Sequence, residues 1–348
     1  MGTLRQYTSF MLGRLSAAPS VPEEGPGLGF FVNSRGARLQ TREWQPEGKL
    51  RGIVVFCHGY STEVTANRAW QRVADMHTAS NLLCAGFDYQ GHGRSEGARM
   101  RLESFELLVA DILQFVDALR ARHPDLPIFL RGQSLGGLLS VAAALKWPEL
   151  FSGLTLGAPA FELSWSRWAL LRASRVLVGA VAPTAILDGQ ASVGELLGQL
   201  VTPIGVFQGV EDGTVNPVGA RHLVAGAGSQ DKSLYLYQDM GHNMSIEPDV
   251  HEWLLARLPS KDGRATDAPP LGAVLHVRSP VPGVAYKPPP PGSADANANT
   301  QLETLREPEQ QGARLDALFG ERGAVPLGGL RRRYNFEGAT QTSPRVTI

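Results

Sequence analysis

A serine flanked by glycines, Gly132-Gln133-Ser134-Leu135-Gly136, follows the apolar run Ile128-Phe129-Leu130 and precedes a second one, Leu138 to Leu145. An apolar run, a glycine-bracketed serine and another apolar run predict a strand, a sharp turn and a helix, the arrangement called a nucleophile elbow. Such a turn forces the backbone of Ser134 into a strained conformation and admits only small residues at 132 and 136. The hydroxyl is then pushed out at the carboxyl end of a sheet, with a helix starting beneath it. A bare G-x-S-x-G is a modest signal, because both residue types are common; the surrounding runs give it weight.

The rest of the chain supplies a sheet for that turn to sit on. Residues 29–44 read as a hairpin around Asn33-Ser34-Arg35-Gly36, and Ile53-Val54-Val55-Phe56 is a continuous apolar run suited to a strand covered on both faces. A helix over 67–80 and a strand over 82–88 follow. Phe105, Leu108, Ile112, Phe115, Val116 and Leu119 then mark one face of a long helix that ends at His123-Pro124. The alternation continues through strands at 128–132, 153–156, 203–209 and 233–237 and helices at 217–224 and 248–258. This rhythm predicts an α/β fold with a mostly parallel central sheet, helices on both faces and an antiparallel entry hairpin. Residues 161–200 break the pattern and read as a short, mainly helical insertion.

With 348 residues the chain is long enough for one large α/β domain with accessories, expected over 29–259 with the insertion at about 160–200. Lys and Arg equal Asp and Glu at 33 each, so no global field points to nucleic acid or to an acidic partner. Cys57 and Cys84 are too few for a disulfide scaffold and suit a reducing compartment, and no apolar stretch is long enough to span a bilayer. Residues 1–28, with Arg5 and Arg14 and no acid before Glu23, read as a leader, either disordered or targeting. Residues 260–348, containing Lys287-Pro288-Pro289-Pro290-Pro291 and an Ala/Asn-rich stretch, read as a largely disordered tail.

An activated serine needs a base, a group to orient that base, and donors for the developing oxyanion. Four histidines follow Ser134. His222 and His251 fall in helical segments and His276 in the tail, whereas His242 lies in a loop directly after a predicted strand, the position expected of a general base. The loop Gln208-Gly209-Val210-Glu211-Asp212-Gly213 follows strand 203–209, and Asp212, with glycine after it, is favoured as the orienting acid over its neighbour Glu211. The oxyanion donors are expected to be the backbone N–H of Leu135 and that of Tyr60, in the loop Cys57-His58-Gly59-Tyr60. His58 and His92 match no metal-ligand spacing and read as structural turn histidines, and the glycines at 91 and 93 lack the context of a phosphate-binding loop.

Gly91-His92-Gly93-Arg94-Ser95-Glu96-Gly97, Leu126-Pro127-Ile128-Phe129-Leu130, the elbow ending in Gly136-Gly137, and Gln208-Gly209 before Asp212 resemble the monoacylglycerol lipase and lysophospholipase branch of the α/β-hydrolases, often labelled serine aminopeptidase-like. The resemblance covers about 29–158 and 201–258. It implies an α/β-hydrolase fold with a triad of Ser134, Asp212 and His242, and cleavage of monoacylglycerol, lysophospholipid or similar acyl esters without a cofactor or metal. Two departures stand out: Gln133 occupies a position where the family usually has His, and the insertion is short. Trp165, Trp168 and Leu171 of that insertion are candidates to line an acyl channel and to bring it against a membrane surface. The implied setting is cytoplasmic, with membrane association and organelle targeting by the leader as further options. Competing readings are an aryl-ester or short-chain esterase or a peptidase of the same fold, and a binding module that uses the pocket as a receptor.

Overall fold

A computed structural model describes residues 22–162, 189–190, 193–243, 247–258 and 272–278. The leader up to 21 and the tail beyond 278 lie outside the described residues. Nine strands, β1 (Leu28–Val32), β2 (Arg38–Trp44), β3 (Gly52–Cys57), β4 (Leu82–Phe87), β5 (Ile128–Gln133), β6 (Gly153–Gly157), β7 (Ile204–Gly209), β8 (Asp231–Tyr237) and β9 (Gly272–Arg278), form one sheet in the order β1-β2-β4-β3-β5-β6-β7-β8-β9. The β1–β2 and β2–β4 pairs are antiparallel and all others are parallel. The parallel part is the alternating strand and helix pattern of the sequence closed into one layer.

Five helices are described: α1 (Arg68–Thr78), α2 (Phe105–Arg122), α3 (Leu135–Lys146), α4 (Pro217–Gly226) and α5 (Glu247–Leu255). Three start where a short polar side chain takes an otherwise open first-turn N–H: Asn67 accepts from Ala69, Ser104 from Leu107, and Asn216 from Val218 ahead of Pro217. Strand β3 explains the two-sided covering. All six of its residues are buried, and alternate ones serve different layers. Ile53, Val55 and Cys57 join the core under α2, α3 and α4, while Val54 and Phe56 join a second core with Trp70 of α1 and Trp253 of α5. Each such large side chain contributes about 1.5–3 kcal/mol on burial. Among the described residues no helix is long and apolar enough to cross a membrane.

The stretch expected to be tail contains an unexpected element. Strand β9 pairs in parallel with β8 over its whole length, so ordered structure extends past residue 259. His276 stacks on Tyr235 with ring centroids 4.2 Å apart, and Tyr235 stacks in turn on Phe207. The strand lies between Pro269-Pro270 and Ser279-Pro280, and that proline-rich composition obscures a seven-residue run.

A histidine pair fastens α1 to α5 on the second core. His77 Nδ1 lies 2.7 Å from His251 Nδ1, and His251 Nε2 lies 3.0 Å from Ser80 Oγ. His77 Nε2 is buried without a hydrogen-bond partner among the described residues, so the proton belongs on Nδ1, where it is donated to His251. His251 Nε2–H then donates to Ser80. Burial, reinforced by the nearby His251 and Arg131, holds the His77 pKa well below the usual histidine value, and burial lowers His251 as well. The unfolded chain therefore binds protons that the fold excludes, and stability falls as pH drops below about 6.5, by up to about 1.4 kcal/mol per pH unit for each excluded proton. His77→Phe is expected to flatten that dependence between pH 6.5 and 4, measured by urea denaturation across the range.

Candidate active site

The elbow is built as its glycines require. Ser134 has φ +54° and ψ −118°, a strained conformation for a residue with a side chain, held between the end of β5 and the first residue of α3. Its carbonyl accepts from Gly137 N–H at 2.9 Å and from Ala160 N–H at 3.0 Å, and its own N–H donates to the Gly157 carbonyl at 2.9 Å. A Cβ on Gly136 would collide with the carbonyl of Cys57, and one on Gly132 would lie 2.5 Å from the Gly136 oxygen. Both glycines are thus places where strand and helix backbones touch. Leu135 opens α3, so its N–H has no acceptor within the helix and lies at the positive end of the helix dipole.

The loop after β3 comes up beside the serine. A Cβ on Gly59 would lie 3.2 Å from Ser134 Cβ, which sets the backbone of 59–60 next to the elbow. His58 braces this loop. Its Nε2 accepts from Tyr89 N–H at 2.9 Å, which leaves Nδ1–H to donate to the Gly59 carbonyl at 2.7 Å, and its ring stacks on Tyr89. The Tyr60 hydroxyl donates to the Met100 carbonyl at 2.9 Å. Cys57, immediately behind, is no competing nucleophile: burial pushes its thiol up to about 12 although Ser140 and Tyr89 hydrogen-bond to it. The next turn is tied down by Asp88, which accepts from the N–H groups of Val64, Thr65 and Arg94 and from the Thr65 hydroxyl.

At the ends of β7 and β8 the structure brings Asp212 and His242 together. His242 Nδ1–H donates to Asp212 Oδ2 at 2.8 Å. The other carboxylate oxygen accepts from Thr214 N–H at 2.8 Å and Val215 N–H at 2.9 Å, and Gln208 Nε2 adds a bond to Oδ2 at 3.0 Å. Burial alone would raise the Asp212 pKa, but the His242 hydrogen bond and charge, with the two amides, outweigh it and hold the carboxyl below its ordinary range. Glu211 is exposed and its backbone N–H donates to the Met240 carbonyl at 3.0 Å, fastening the loop that carries His242. Gln133, beside the serine, donates from Nε2 to the His242 carbonyl at 3.3 Å. Among the described residues Ser134 Oγ makes no hydrogen bond to His242; such contacts are commonly long without substrate and tighten when it binds.

The feet of the insertion are fastened to the same elements. Ala160 bonds the Ser134 carbonyl through its N–H and accepts from Gln190 Nε2 at 2.6 Å, while the Glu162 carbonyl accepts from Asn216 N–H at 2.7 Å. Trp165, Trp168 and Leu171 lie outside the described residues. Sequence reasoning assigned no role to Gln133 or Gln208, since an amide that supports a loop leaves no periodic or spacing signal. Because the Gly136 contact is backbone against backbone, Gly136→Ala is expected to destabilise by about 1–3 kcal/mol or more, against about 0.5 kcal/mol for an ordinary surface change; chemical denaturation measures it.

Comparison with known proteins gives this geometry its setting. The family model described as "Serine aminopeptidase, S33" matches residues 48–186 and 178–249. A monoglyceride lipase of Mus musculus is 28% identical over 281 residues, covering 66% of this chain and 91% of that protein. A caffeoylshikimate esterase of Arabidopsis thaliana is 26% identical, covering 63% and 80%. The crystal structure of a soluble variant of monoglyceride lipase from Saccharomyces cerevisiae, in complex with a substrate analog, superimposes with a TM-score of 0.59 at 17% identity, covering 70% of this chain and 97% of that one. The fold is that of the α/β-hydrolases, and with more than half its length matched, the chain belongs to the serine aminopeptidase S33 family of hydrolases.

Proposed function

We propose that this hydrolase cleaves the acyl ester of a monoacylglycerol or lysophospholipid through an acyl-enzyme, with Ser134 as nucleophile, His242 as general base and Asp212 as the group that orients it. The observation that carries the reading is the 2.8 Å bond from His242 Nδ1 to Asp212 Oδ2, which fixes the tautomer with Nε2 unprotonated and facing away from the acid. His242 takes the hydroxyl proton as Ser134 Oγ attacks the ester carbonyl. The resulting imidazolium is stabilised by a carboxylate whose charge the site already favours. The N–H groups of Leu135 and Tyr60 receive the oxyanion, and each such donor is worth about 10²–10³ in turnover. The alcohol leaves with the proton from His242, and water, deprotonated by the same imidazole, releases the acid.

The glyceride assignment is supported by the name of the Mus musculus relative; the Arabidopsis relative supports a second reading, an ester of an aromatic acid. Peripheral contact with a lipid surface through the insertion belongs to the same proposal, supported by its Leu, Val and Trp content. A reducing compartment such as the cytoplasm is supported by the two free, buried thiols.

A fluorophosphonate probe is expected to label the wild type and not Ser134→Ala. Asp212→Asn is expected to lower kcat by about 10³–10⁴-fold with the fold intact, because the asparagine amide would favour the wrong tautomer. Competition against the probe by monoacylglycerols and lysophospholipids supports the lipid reading; competition by aromatic or short esters alone replaces it with the second.

A further inference from the structure

We infer that Gln133 is a positioning residue, one that fixes the backbone of His242 relative to the neighbouring Ser134; the inference rests on the triad proposed above. Gln133 is the last residue of β5 and pairs in register with Gly157 of β6. Its side chain crosses over β6 toward the loop that follows β8, and glycine at 157 provides the room. A Cβ there would collide with Gln133 Oε1 and lie 2.9 Å from Arg131 Nη1. From this channel Nε2–H donates to the His242 carbonyl at 3.3 Å.

Among the described residues the base loop is otherwise held from the acid side. Glu211 N–H binds the Met240 carbonyl, a Cβ on Gly209 would be driven into that same oxygen, and Asp212 holds the imidazole ring. All three contacts lie at the end of β7, two strands from the elbow, so they fix the distance from His242 to Ser134 only through the intervening β5–β6–β7 pairing. Gln133 sets that distance directly, because it is bonded covalently to Ser134 and by hydrogen bond to His242. Asp212 sets which way the ring faces and Gln133 sets how far it stands from the hydroxyl. Proton transfer depends steeply on that distance, a displacement of about 1 Å costing about 10²-fold.

The test uses the full chain with two substitutions: Gln133→Met, similar in length with no donor, and Gln133→Glu, the same shape with a carboxylate that repels the carbonyl. Active sites are counted with a fluorophosphonate, and kcat and KM per titrated site are measured on a soluble p-nitrophenyl ester. Gln133→Met is expected to lower kcat per site about tenfold with KM within about twofold. Gln133→Glu is expected to lower it at least as far, and to move the acidic limb of the kcat/KM profile to higher pH, because an added carboxylate favours the imidazolium. A purely structural role would reduce the number of titratable sites and leave each at full speed. Wild-type kcat per site in Gln133→Met, or an unshifted profile in Gln133→Glu, overturns the inference. Ser134→Ala and His242→Ala run alongside: ester turnover by either would sink the triad itself, whereas both inert with Gln133→Met at full speed per site sinks the positioning role alone.

Discussion

Helix α3 begins directly beneath Ser134 because nothing larger than hydrogen projects from residue 136 toward the carbonyls of Cys57 and His58. That close approach determines much else. It turns the chain so sharply that Ser134 takes a positive φ, costing about 1–3 kcal/mol of local strain that the buried strands on either side must offset. It also aligns the first N–H groups of α3 with the loop after β3, so a single packing contact places the nucleophile and the oxyanion donors proposed here. The strain persists because β5 is paired on both edges and its first five residues are buried, leaving the turn no cheaper way to relax.

Around this rigid turn, the polar loops are held by amides. His58 uses both ring nitrogens on backbone partners, Asp88 gathers three N–H groups, and Gln208 and Gln133 donate to the acid and base loops. Neutral amide and imidazole donors are well suited to the task. They satisfy buried carbonyls and carboxylates without bringing charges that would compete with the His242–Asp212 pair. The feet of the insertion join the same network through Ala160 and Glu162, so whatever covers the site is tied to the serine and to the acid loop at its base.

The fold was readable wherever apolar residues recur with a period. Strand β3 and helix α2 declare themselves through continuous burial and a 3.6-residue stripe, and chain order pointed to Asp212 and His242 as partners. What escaped the reading lacks periodicity. Strand β9 is a short run between proline-rich segments, recognisable as a strand only once β8 offers its free edge. Gln133 acts through one hydrogen bond to a loop more than a strand away, and Gln208 through bonds to Gly209 and to Asp212 four residues on; no sequence pattern distinguishes such an amide from a solvated one. The pairing of His77 with His251 is equally silent, since the two residues are far apart in the chain and meet only when α1 and α5 cover the same face.

Asp88 and Asp212 show how environment, more than hydrogen-bond count, sets the ionisation of a buried acid. Each accepts four hydrogen bonds; all four at Asp88 and three at Asp212 come from backbone or neutral side-chain donors. For Asp88 burial dominates and raises the pKa despite those bonds. For Asp212 the fourth donor is an imidazole that can carry positive charge, and the balance reverses. The negative charge at 212 is therefore favoured, beside the Thr214 and Val215 amides, by the same group whose protonation it is proposed to assist. Replacing the imidazole would weaken the acid's ionisation and, in the mechanism proposed above, remove the base as well, so the two residues are expected to act as one unit.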